Sequence, residues 1–556
     1  MRQRLGPFAR LRRSFGIPIE LSWLAFGTAA LVMLPIVAVA SSVFLNSSRT
    51  WQHLVSTVLP TYITNSLLLS VGVGLGVTVL GVSTAWLVSV CRFPGRRWLE
   101  WGLLLPLSTP AYVLAYTYTD FLEVAGPLQG WLRQVLALEV GQYWFPDIRS
   151  LGGAIAMLTL VLYPYVYMLA RVAFLDQSRR LIEASRILGC TPWQSFWRVG
   201  LPLARPSIAA GVSLTLMETL NDFGTVEYFG VNTFSTGIYR VWSGFGDRQD
   251  AFQLAGVLLA FIVVLLLTEQ RSRGRTKYFQ SVGKGEARCE YVLQGPRAAT
   301  ATLICLAPVT LGFLLPGFLL VWMAVENATQ TFGSEFFADA NHSFTLALIA
   351  ALLATVIATG LAYGQRLRRT SLASRFSRLS TVGYAIPGSV IAVGIALPFG
   401  WLDDVINQIT LATVGSRVGL VFSGTVAALV YAYIVRFLAV AFSTVEAGLS
   451  KIKPSLDEAA RSLGKTPAQT LWLVHRPLLW SSLLTGGMLV FVDVMKELPA
   501  TLMIRPFDFD TLAYRVYRLA SDERLAEASG PALAIVLVGL IPVIGLSWQI
   551  ARTSSR

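Results

Sequence analysis

Acidic side chains recur at one spacing in two hydrophobic stretches of this 556-residue chain. Glu218 and Asp222 are four residues apart in the first stretch, and Asp493 and Glu497 are four apart in the second, 275 positions further on. Residues four apart lie on the same face of a helix, so each pair is predicted to share a face. Carboxylate oxygens are the ligands that hard cations prefer. Four converging carboxylates would therefore suit the transient passage of such a cation, without forming a stable metal site.

The cost of burying charge in lipid constrains where these side chains face. Each charge at the centre of a bilayer costs about 2.5–3.5 kcal/mol, so we expect them to face the protein interior or a wet cavity. Lys496 lies beside the second pair, whereas its counterpart in the first stretch is Asn221. Two alternatives to a pathway for cations stay open. In the first, the charges hold helices together, with Lys496 pairing Asp493 or Glu497. In the second, the charges lie near a helix end and extend into water.

Composition places the chain in a membrane. Hydrophobic residues make up 54% of it, charged residues only 14%, and its mean hydropathy is +0.59. A bilayer core about 30 Å thick requires helices of about 20 apolar residues. Such runs predict an all-α polytopic membrane protein with about twelve transmembrane helices, at 21–45, 62–90, 99–121, 151–174, 206–228, 252–269, 301–325, 343–365, 379–400, 418–445, 480–504 and 530–550.

The basic residues indicate the orientation. With the Arg-rich N-terminus placed in the cytoplasm, the cytoplasmic segments hold 32 of the 45 Lys and Arg residues. These segments are 1–20, 91–98, 175–205, 270–300, 366–378, 446–479 and 551–556. The positive-inside bias predicts a multi-pass membrane protein, surrounded by lipid, with both termini in the cytoplasm. The net charge of +14 is thus a topology signal, and no compact basic patch with stacking aromatic residues indicates nucleic-acid binding.

A 21-residue segment occurs twice in the chain. Residues 183–203 and 458–478 are identical at 12 positions, and both copies fall in predicted cytoplasmic segments. The offset of 275 continues downstream, and an offset of 277 aligns Ser66 with Ser343 upstream. Each half is therefore predicted to be one six-helix unit. Because six is even, the two repeats are parallel and related by an axis along the membrane normal.

Each repeated segment is predicted to form a helix, a turn and a second helix. Gly189 and Gly464 are placed to end the first helix, as glycine commonly does. Thr-Pro pairs follow at 191–192 and 466–467, with Thr as the N-cap and Pro in the first turn. A helix that only lies against lipid headgroups is the alternative, but such helices usually carry a basic face. The detailed match between the copies favours a common protein partner.

The segment resembles the EAA loop of binding-protein-dependent ABC importer permeases of type I. Its pattern is Glu-Ala-(Ala/Ser)-x-x-x-Gly, followed after a dozen or so residues by Leu-Pro or a similar pair. In that family the loop docks on a cytoplasmic ATPase subunit. The copies depart from the pattern at Ser185, and at Gly200-Leu201 and His475-Arg476 before the prolines. The resemblance implies ATPase-coupling roles for Glu183, Ala184, Gly189, Glu458, Ala459 and Gly464.

A narrower resemblance concerns the substrate. The segments 217–226 and 493–501 are similar to those of ferric-iron importer permeases that fuse both halves in one chain. The resemblance implies import of ferric iron across the bacterial inner membrane, from a periplasmic or extracellular solute-binding protein. A separate ATPase dimer would drive it. The pathway would then include Glu218, Asp222, Asp493, Lys496 and Glu497.

Two alternative functions stay open. Fused thiamine permeases share the architecture, so thiamine or another small solute is the first. A gradient-driven secondary transporter is the second, since parallel six-helix halves occur there and buried carboxylates serve as proton relays. The chain has no G-x-x-x-x-G-K-[ST] loop, so we expect no cofactor and no enzymatic activity of its own, with ATP hydrolysis on the partner.

The domain organisation follows from the repeat. We expect the cytoplasmic N-terminus and first helix at 1–59 and the first ABC transmembrane type-1 domain at 60–270. A cytoplasmic linker and the seventh helix follow at 271–339, and the second ABC transmembrane type-1 domain at 340–550.

The three histidines lie in separate segments without metal-ligand spacing. His53, His342 and His475 are all predicted to be surface residues.

Overall fold

The computed structural model describes residues 19–44, 49–176, 185, 187–245, 248–272, 291–367 and 371–554. Within these residues the backbone is helical almost throughout, with one short parallel pair of strands, β1 (Cys91–Arg92) and β2 (Tyr291–Val292). The helices up to residue 272 are α1 (Ile19–Ser41), α2 (Arg49–Thr57), α3 (Leu59–Val90), α4 (Arg96–Gly102), α5 (Ala111–Leu122), α6 (Pro127–Leu136), α7 (Leu151–Asp176), α8 (Pro192–Ser195), α9 (Leu201–Asn221), α10 (Gly224–Tyr228), α11 (Phe234–Arg240) and α12 (Arg248–Ser272).

The remaining described helices follow β2. They are α13 (Pro296–Val309), α14 (Leu315–Glu326), α15 (Ala328–Thr331), α16 (Ser334–Leu367), α17 (Ser371–Leu379), α18 (Gly388–Val414), α19 (Val426–Ser450), α20 (Pro454–Ser462), α21 (Pro467–Thr470), α22 (Arg476–Met495), α23 (Pro499–Ile504), α24 (Leu512–Ser521) and α25 (Leu525–Ser554). Short 3-10 turns lie at 42–44, 105–108 and 382–385, and π turns at 196–200, 241–245, 310–314 and 471–475.

Eleven helical segments of the described chain are long and apolar enough to cross a membrane, which agrees with the predicted all-α polytopic class. The twelfth predicted span, at 99–121, is not one helix. It is divided into α4, a 3-10 turn and α5, and Pro106 and Pro110 lie at the two breaks. Proline lacks the N–H that helix continuation needs, and the residue before it avoids helical geometry. The prediction of a single helix there was wrong.

Two further predicted spans are broken helices. The span at 206–228 ends as a helix at Asn221 and restarts as α10, and the span at 480–504 ends at Met495 and restarts as α23. Broken helices at membrane depth are tolerated where protein or a water-filled cavity surrounds the freed backbone groups. The breaks fall at equivalent places of the two halves, next to the acidic residues.

The chain forms two compact units that do not follow the linear halves. Unit 1 comprises residues 1–42 and 341–509, and unit 2 comprises residues 43–340 and 510–556. In unit 1 the N-terminal helix α1 packs against α17 and α18. In unit 2 the C-terminal helix α25 packs against α14 and α24. Each unit therefore combines one end of the chain with the opposite half of the sequence.

Small residues bring α3 and α7 into close contact in the core of unit 2. A Cβ on Gly72 would lie 2.5 Å from the side chain of Ile155, and one on Gly76 would lie 2.6 Å from that of Thr159. Glycines four residues apart form the kind of surface through which membrane helices approach closely. This packing holds α3 against α7, the last described long helix before the first repeated segment.

Candidate functional site

The second repeated segment has the helix–turn–helix geometry that its sequence predicts. Helix α20 ends at Ser462, and Gly464 follows with a φ of +74°. The N–H of Lys465 donates to the carbonyl of Ala460 and that of Gly464 to the carbonyl of Arg461, both at 3.0 Å. These two bonds form a Schellman motif, which needs a left-handed residue that glycine adopts without steric cost. The predicted role of Gly464 as helix terminator is confirmed.

The following helix starts with a capping box. Thr466 Oγ1 accepts a hydrogen bond from the backbone N–H of Gln469, and the Gln469 side chain accepts one from the N–H of Thr466. Pro467 occupies the first turn, where no intrahelical donor is required. The predicted N-cap is therefore confirmed. The turn between α20 and α21 is fixed by backbone bonds on one side and by side-chain bonds to the backbone on the other.

The first repeated segment repeats this geometry wherever it is described. Gly189 has a φ of +85°, the N–H of Cys190 donates to the carbonyl of Ser185, and Thr191 and Gln194 form the equivalent capping box. Glu183 and Ala184 lie outside the described residues. Sequence identity between the copies thus extends to backbone geometry on the C-terminal side of the segment.

A π turn follows each capping box at the same offset. The N–H of Leu201 donates to the carbonyl of Phe196, and the N–H of Arg476 donates to the carbonyl of Leu471, five residues back in each case. A proline follows each of these residues, and its ring would clash with the carbonyl four residues earlier in a regular helix. The wider turn relieves this clash. It also sets the direction in which α9 and α22 leave the repeated segments.

Both segments expose polar and apolar side chains together. Glu458, Ala459 and Gly464 are all exposed in the second copy, as is Gly189 in the first. Leu463 is 77% exposed and its counterpart Leu188 is 83% exposed. The equivalent tryptophans Trp197 and Trp472 are also more than half exposed, and an apolar patch of this kind outside a membrane marks an interaction site. The described parts of the two segments therefore present similar apolar surfaces that suit contact with another protein.

The first acidic pair, Glu218 and Asp222 of unit 2, does not share a helix face. Glu218 is half-buried within α9, but the helix ends at Asn221 and Asp222 has an extended backbone. The Asp222 carboxylate accepts hydrogen bonds from the N–H groups of Thr225 and Val226, at 3.1 and 3.2 Å, and from Thr225 Oγ1. Asp222 thus satisfies the free N–H groups at the start of α10.

The equivalent residues of unit 1 are also separated by a helix end. Asp493 lies in α22, whereas Glu497 lies beyond it and accepts a hydrogen bond from the N–H of Ala500 at the start of α23. The prediction that each acidic pair shares a face was therefore wrong in both halves. The helix breaks between the two residues and the second carboxylate binds the next short helix.

Both acidic residues of this second pair have a basic partner. Glu497 Oε1 lies 3.2 Å from a guanidinium nitrogen of Arg436, and the two side chains are only 5% and 4% exposed. Lys496 Nζ lies 2.9 Å from Asp493 Oδ1, and both of these side chains are half-buried. The predicted pairing of Lys496 with an acidic neighbour is confirmed, with Asp493 as the partner. Sequence reasoning missed Arg436, because its position in the first half holds Val161.

His475 is fully buried, so the prediction that it lies on the surface was wrong. Its Nε2 lies 2.5 Å from Asp457, which also accepts a hydrogen bond from Arg366. Sequence reasoning missed all three residues as a group, because they are distant along the chain. One sequence feature could have pointed to this group: His475 stands where the first copy has Gly200, in an otherwise similar segment.

The described part of the chain holds no group of three His, Cys, Asp or Glu side chains that are close enough to bind a metal ion. What the arrangement offers chemically is a pair of exposed repeated segments and, separately, carboxylates held at helix breaks.

Comparisons with known proteins agree with this arrangement. A family model described as the binding-protein-dependent transport system inner membrane component matches residues 21–269 and 353–555. The chain is 27% identical over 494 residues to the Fe(3+)-transport system permease protein FbpB 2 of Haemophilus influenzae, covering 86% of this chain and 88% of that protein. It is 25% identical over 515 residues to the ferric transport system permease protein FbpB of Actinobacillus pleuropneumoniae, covering 88% and 71%. It is 31% identical over 196 residues to the sulfate transport system permease protein CysT of Escherichia coli, covering 34% and 68%.

Proposed function

Because this chain belongs to the family of binding-protein-dependent transport system inner membrane components, we propose that it is the permease subunit of a ferric-iron importer. In this proposal a solute-binding protein delivers the iron from outside, and a separate ATPase dimer drives its passage. The chain itself is a multi-pass inner-membrane protein with a transport role. Both termini are proposed to lie in the cytoplasm, as the distribution of basic residues predicts.

The two repeated segments carry the proposed ATPase docking. They share the left-handed glycine, the capping box and the π turn, and each exposes a large apolar side chain, Leu188 in one and Leu463 in the other. A dimeric ATPase offers two equivalent surfaces, so two equivalent segments in one chain match it in number. We assign Glu183, Ala184 and Gly189 to the first dock, and the equivalent residues to the second: Glu458, Ala459 and Gly464.

Iron as the substrate is supported by the extent of the similarity. The relatives named as ferric permeases align over 86% and 88% of this chain, whereas the sulfate relative aligns over 34%. Thiamine or another small solute is the alternative within the same family. The family match favours an importer that depends on a binding protein over a gradient-driven transporter.

The geometry divides the proposed pathway residues into two groups. Asp222 and Glu497 are engaged by backbone N–H groups at the start of short helices. Glu218, Asp493 and Lys496 are half-buried. We propose that this second group faces the pathway, and that Asp222 and Glu497 contribute by holding the helix breaks in shape.

Photo-crosslinking tests the proposed docking directly. A photo-reactive amino acid at the exposed position Ala459 is expected to form an adduct with a co-purifying ATPase. The same probe at Trp144, which is 87% exposed in a loop predicted to face outside, serves as the control and should form no such adduct. Equal labelling from both positions, or none from Ala459 in an intact complex, would contradict the proposed dock.

A further inference from the structure

A buried ionic cluster lies at the base of the second repeated segment, within unit 1. Asp457, the residue before Glu458, accepts a hydrogen bond from Arg366 Nε at 2.8 Å through Oδ2 and one from His475 Nε2 at 2.5 Å through Oδ1. A carboxylate has no hydrogen to donate, so we assign the ring hydrogen to Nε2. The side chains of His475, Asp457 and Arg366 are 0%, 10% and 15% exposed. The cluster thus joins α20, α16 and the π turn before α22.

Arg366 also binds the end of a fourth helix. Its guanidinium donates to the carbonyl of Leu449 at 2.5 Å and to that of Ile452 at 2.9 Å, at the C-terminus of α19. The last carbonyls of a helix have no partner within it, and a cation there also interacts favourably with the helix dipole. One side chain therefore connects the last turn of α16, the end of α19 and the start of the proposed docking helix α20.

Tyr363, one turn before Arg366 on α16, binds the far end of the same segment. Its hydroxyl donates to the carbonyl of Pro467 at 2.9 Å, and its ring centroid lies 5.4 Å from that of His475. The last turn of α16 is thus bound to both arms of the segment, α20 on one side and α21 with its π turn on the other. A displacement of the segment cannot leave α16 unaffected without breaking several buried hydrogen bonds.

The first copy fills the equivalent space with apolar contacts. At the positions of Tyr363 and His475 it has Trp86 and Gly200. The Trp86 ring lies 5.2 Å from the ring of Phe174 and 5.0 Å from that of Phe196, and a Cβ on Gly200 would lie 2.6 Å from it. The positions of Arg366 and Asp457 hold Ser89 and Ile182 in the first half, so the sequence there has no equivalent ion pair.

We propose that Arg366, Asp457 and His475 are positioning residues that transmit movement of the second docking segment to α16, α19 and α22. The inference rests on the proposed ATPase docking. Apolar packing of the kind around Trp86 would suffice to hold a segment in place, and buried ion pairs are often no more stabilising than apolar pairs of similar size. The ionic network adds directional bonds from one helix end to two arms of the segment. The second segment is therefore joined to the membrane helices by ionic bonds, whereas the described part of the first has apolar contacts at the equivalent place.

Substitutions separate transmission from docking. Asp457→Asn and His475→Gln remove the charge and the Nε2 bond at nearly unchanged volume. In the complete importer each is expected to lower the amount of solute moved per ATP hydrolysed by about tenfold, within the range of measured coupling energies. The affinity of the chain for the ATPase should change by less than about twofold. Arg378→Met, which removes an exposed arginine of α17, is the matched control and should match the wild type in both quantities.

The double variant Arg366→Met with Asp457→Leu addresses stability. It leaves no uncompensated charge, so it should melt closer to the wild type than Arg366→Met alone. It should nevertheless show the same loss of transport per ATP as Asp457→Asn. Wild-type transport per ATP in the double variant would overturn the proposal. An equal fall in ATPase affinity would also overturn it, by showing that these residues serve docking.

Hydrogen exchange on the unmodified complex supplies a test that needs no variant. Binding of the ATPase with a non-hydrolysable ATP analogue is expected to slow amide exchange over residues 454–470 and also over 360–367, by about fivefold or more. The equivalent residues 83–90 should change less. Protection at 454–470 with no change at 360–367 would overturn the inference while leaving the docking intact. No change at either place would contradict the docking itself, and the inference with it.

Discussion

Glu497 and Arg436 form a buried ion pair that holds a break in a membrane helix. Their charged atoms lie 3.2 Å apart, and the same Glu497 oxygen accepts the N–H of Ala500 as α23 begins. The carboxylate thus links the helix that follows the break to α19. In the first half Asp222 binds the start of α10 in the same way, although Val161 stands where Arg436 would be expected.

We expect Arg436→Met to destabilise the chain strongly, because it leaves the carboxylate of Glu497 buried without its cation. Breaking one partner of a buried pair typically costs about 3–5 kcal/mol of unfolding free energy. Arg436→Met combined with Glu497→Leu should recover most of the loss. The measurement is the melting temperature of the purified protein in detergent. A double variant as unstable as the single one would contradict the assigned pairing.

The left-handed glycines of the two docking segments can be tested without steric interference. An added Cβ at Gly464 or Gly189 would meet no atom within 4 Å, so alanine there acts only through the backbone. Holding alanine in this conformation costs about 1 kcal/mol. We expect Gly464→Ala to lower the free energy of unfolding by about that amount, because the left-handed conformation is present without the ATPase. Gly400→Ala, in an open position of α18 with negative φ, is the control and should not lower it.

Helix packing in unit 2 predicts a contrast between neighbouring glycines of α3. A Cβ on Gly72 would lie 2.5 Å from Ile155, whereas one on Gly74 would lie 3.5 Å from Leu216, an ordinary contact. Gly72→Ala should therefore destabilise the protein by about 1–3 kcal/mol through overpacking. Gly74→Ala should be neutral or slightly stabilising. Thermal unfolding of both variants checks this, and equal melting temperatures would show that α3 and α7 are not in close contact at Gly72.

The half-buried charges give a prediction about transport itself. Glu218→Gln and Asp493→Asn keep the shape of the side chains and remove the charge. If these residues face the pathway, each variant should lower iron uptake by about tenfold or more, in keeping with the functional role usual for intramembrane charges. Asp222→Asn should instead lower the melting temperature more than Glu218→Gln or Asp493→Asn does, because the Asp222 carboxylate binds the start of α10. Normal uptake in both of the first two variants would refute the pathway assignment.

Sequence reasoning succeeded where the determining interactions are local. The ends of the docking helices follow from Gly464, Thr466 and Pro467, whose preferred geometries need only neighbouring residues. The membrane class followed equally directly from composition. The break in the third predicted span, 99–121, was not predicted, because the hydropathy of the span resembles that of a continuous helix. Pro106 and Pro110 were the residues that indicated the break.

Long-range partners could not be predicted in the same way. Arg436 lies 61 residues from Glu497 and Arg366 lies 91 residues from Asp457, and no pattern in the chain links either pair. The spacing of four residues between the acidic side chains led to the wrong prediction of a shared face, because that prediction requires a continuous helix. The helix ends between them, where the chain turns to start α10 and α23.

ATP-driven uptake of radioactive ferric iron tests the central proposal most directly. The chain would be reconstituted in vesicles with its ATPase and solute-binding protein, which we expect to co-purify with it or to be encoded beside it. We predict uptake that requires all three proteins, ATP and iron-loaded binding protein, and that unlabelled sulfate, molybdate and thiamine do not reduce. ATP hydrolysis should be absent from the chain alone. Uptake of another of these solutes in place of iron, or iron uptake without the ATPase, would contradict the account.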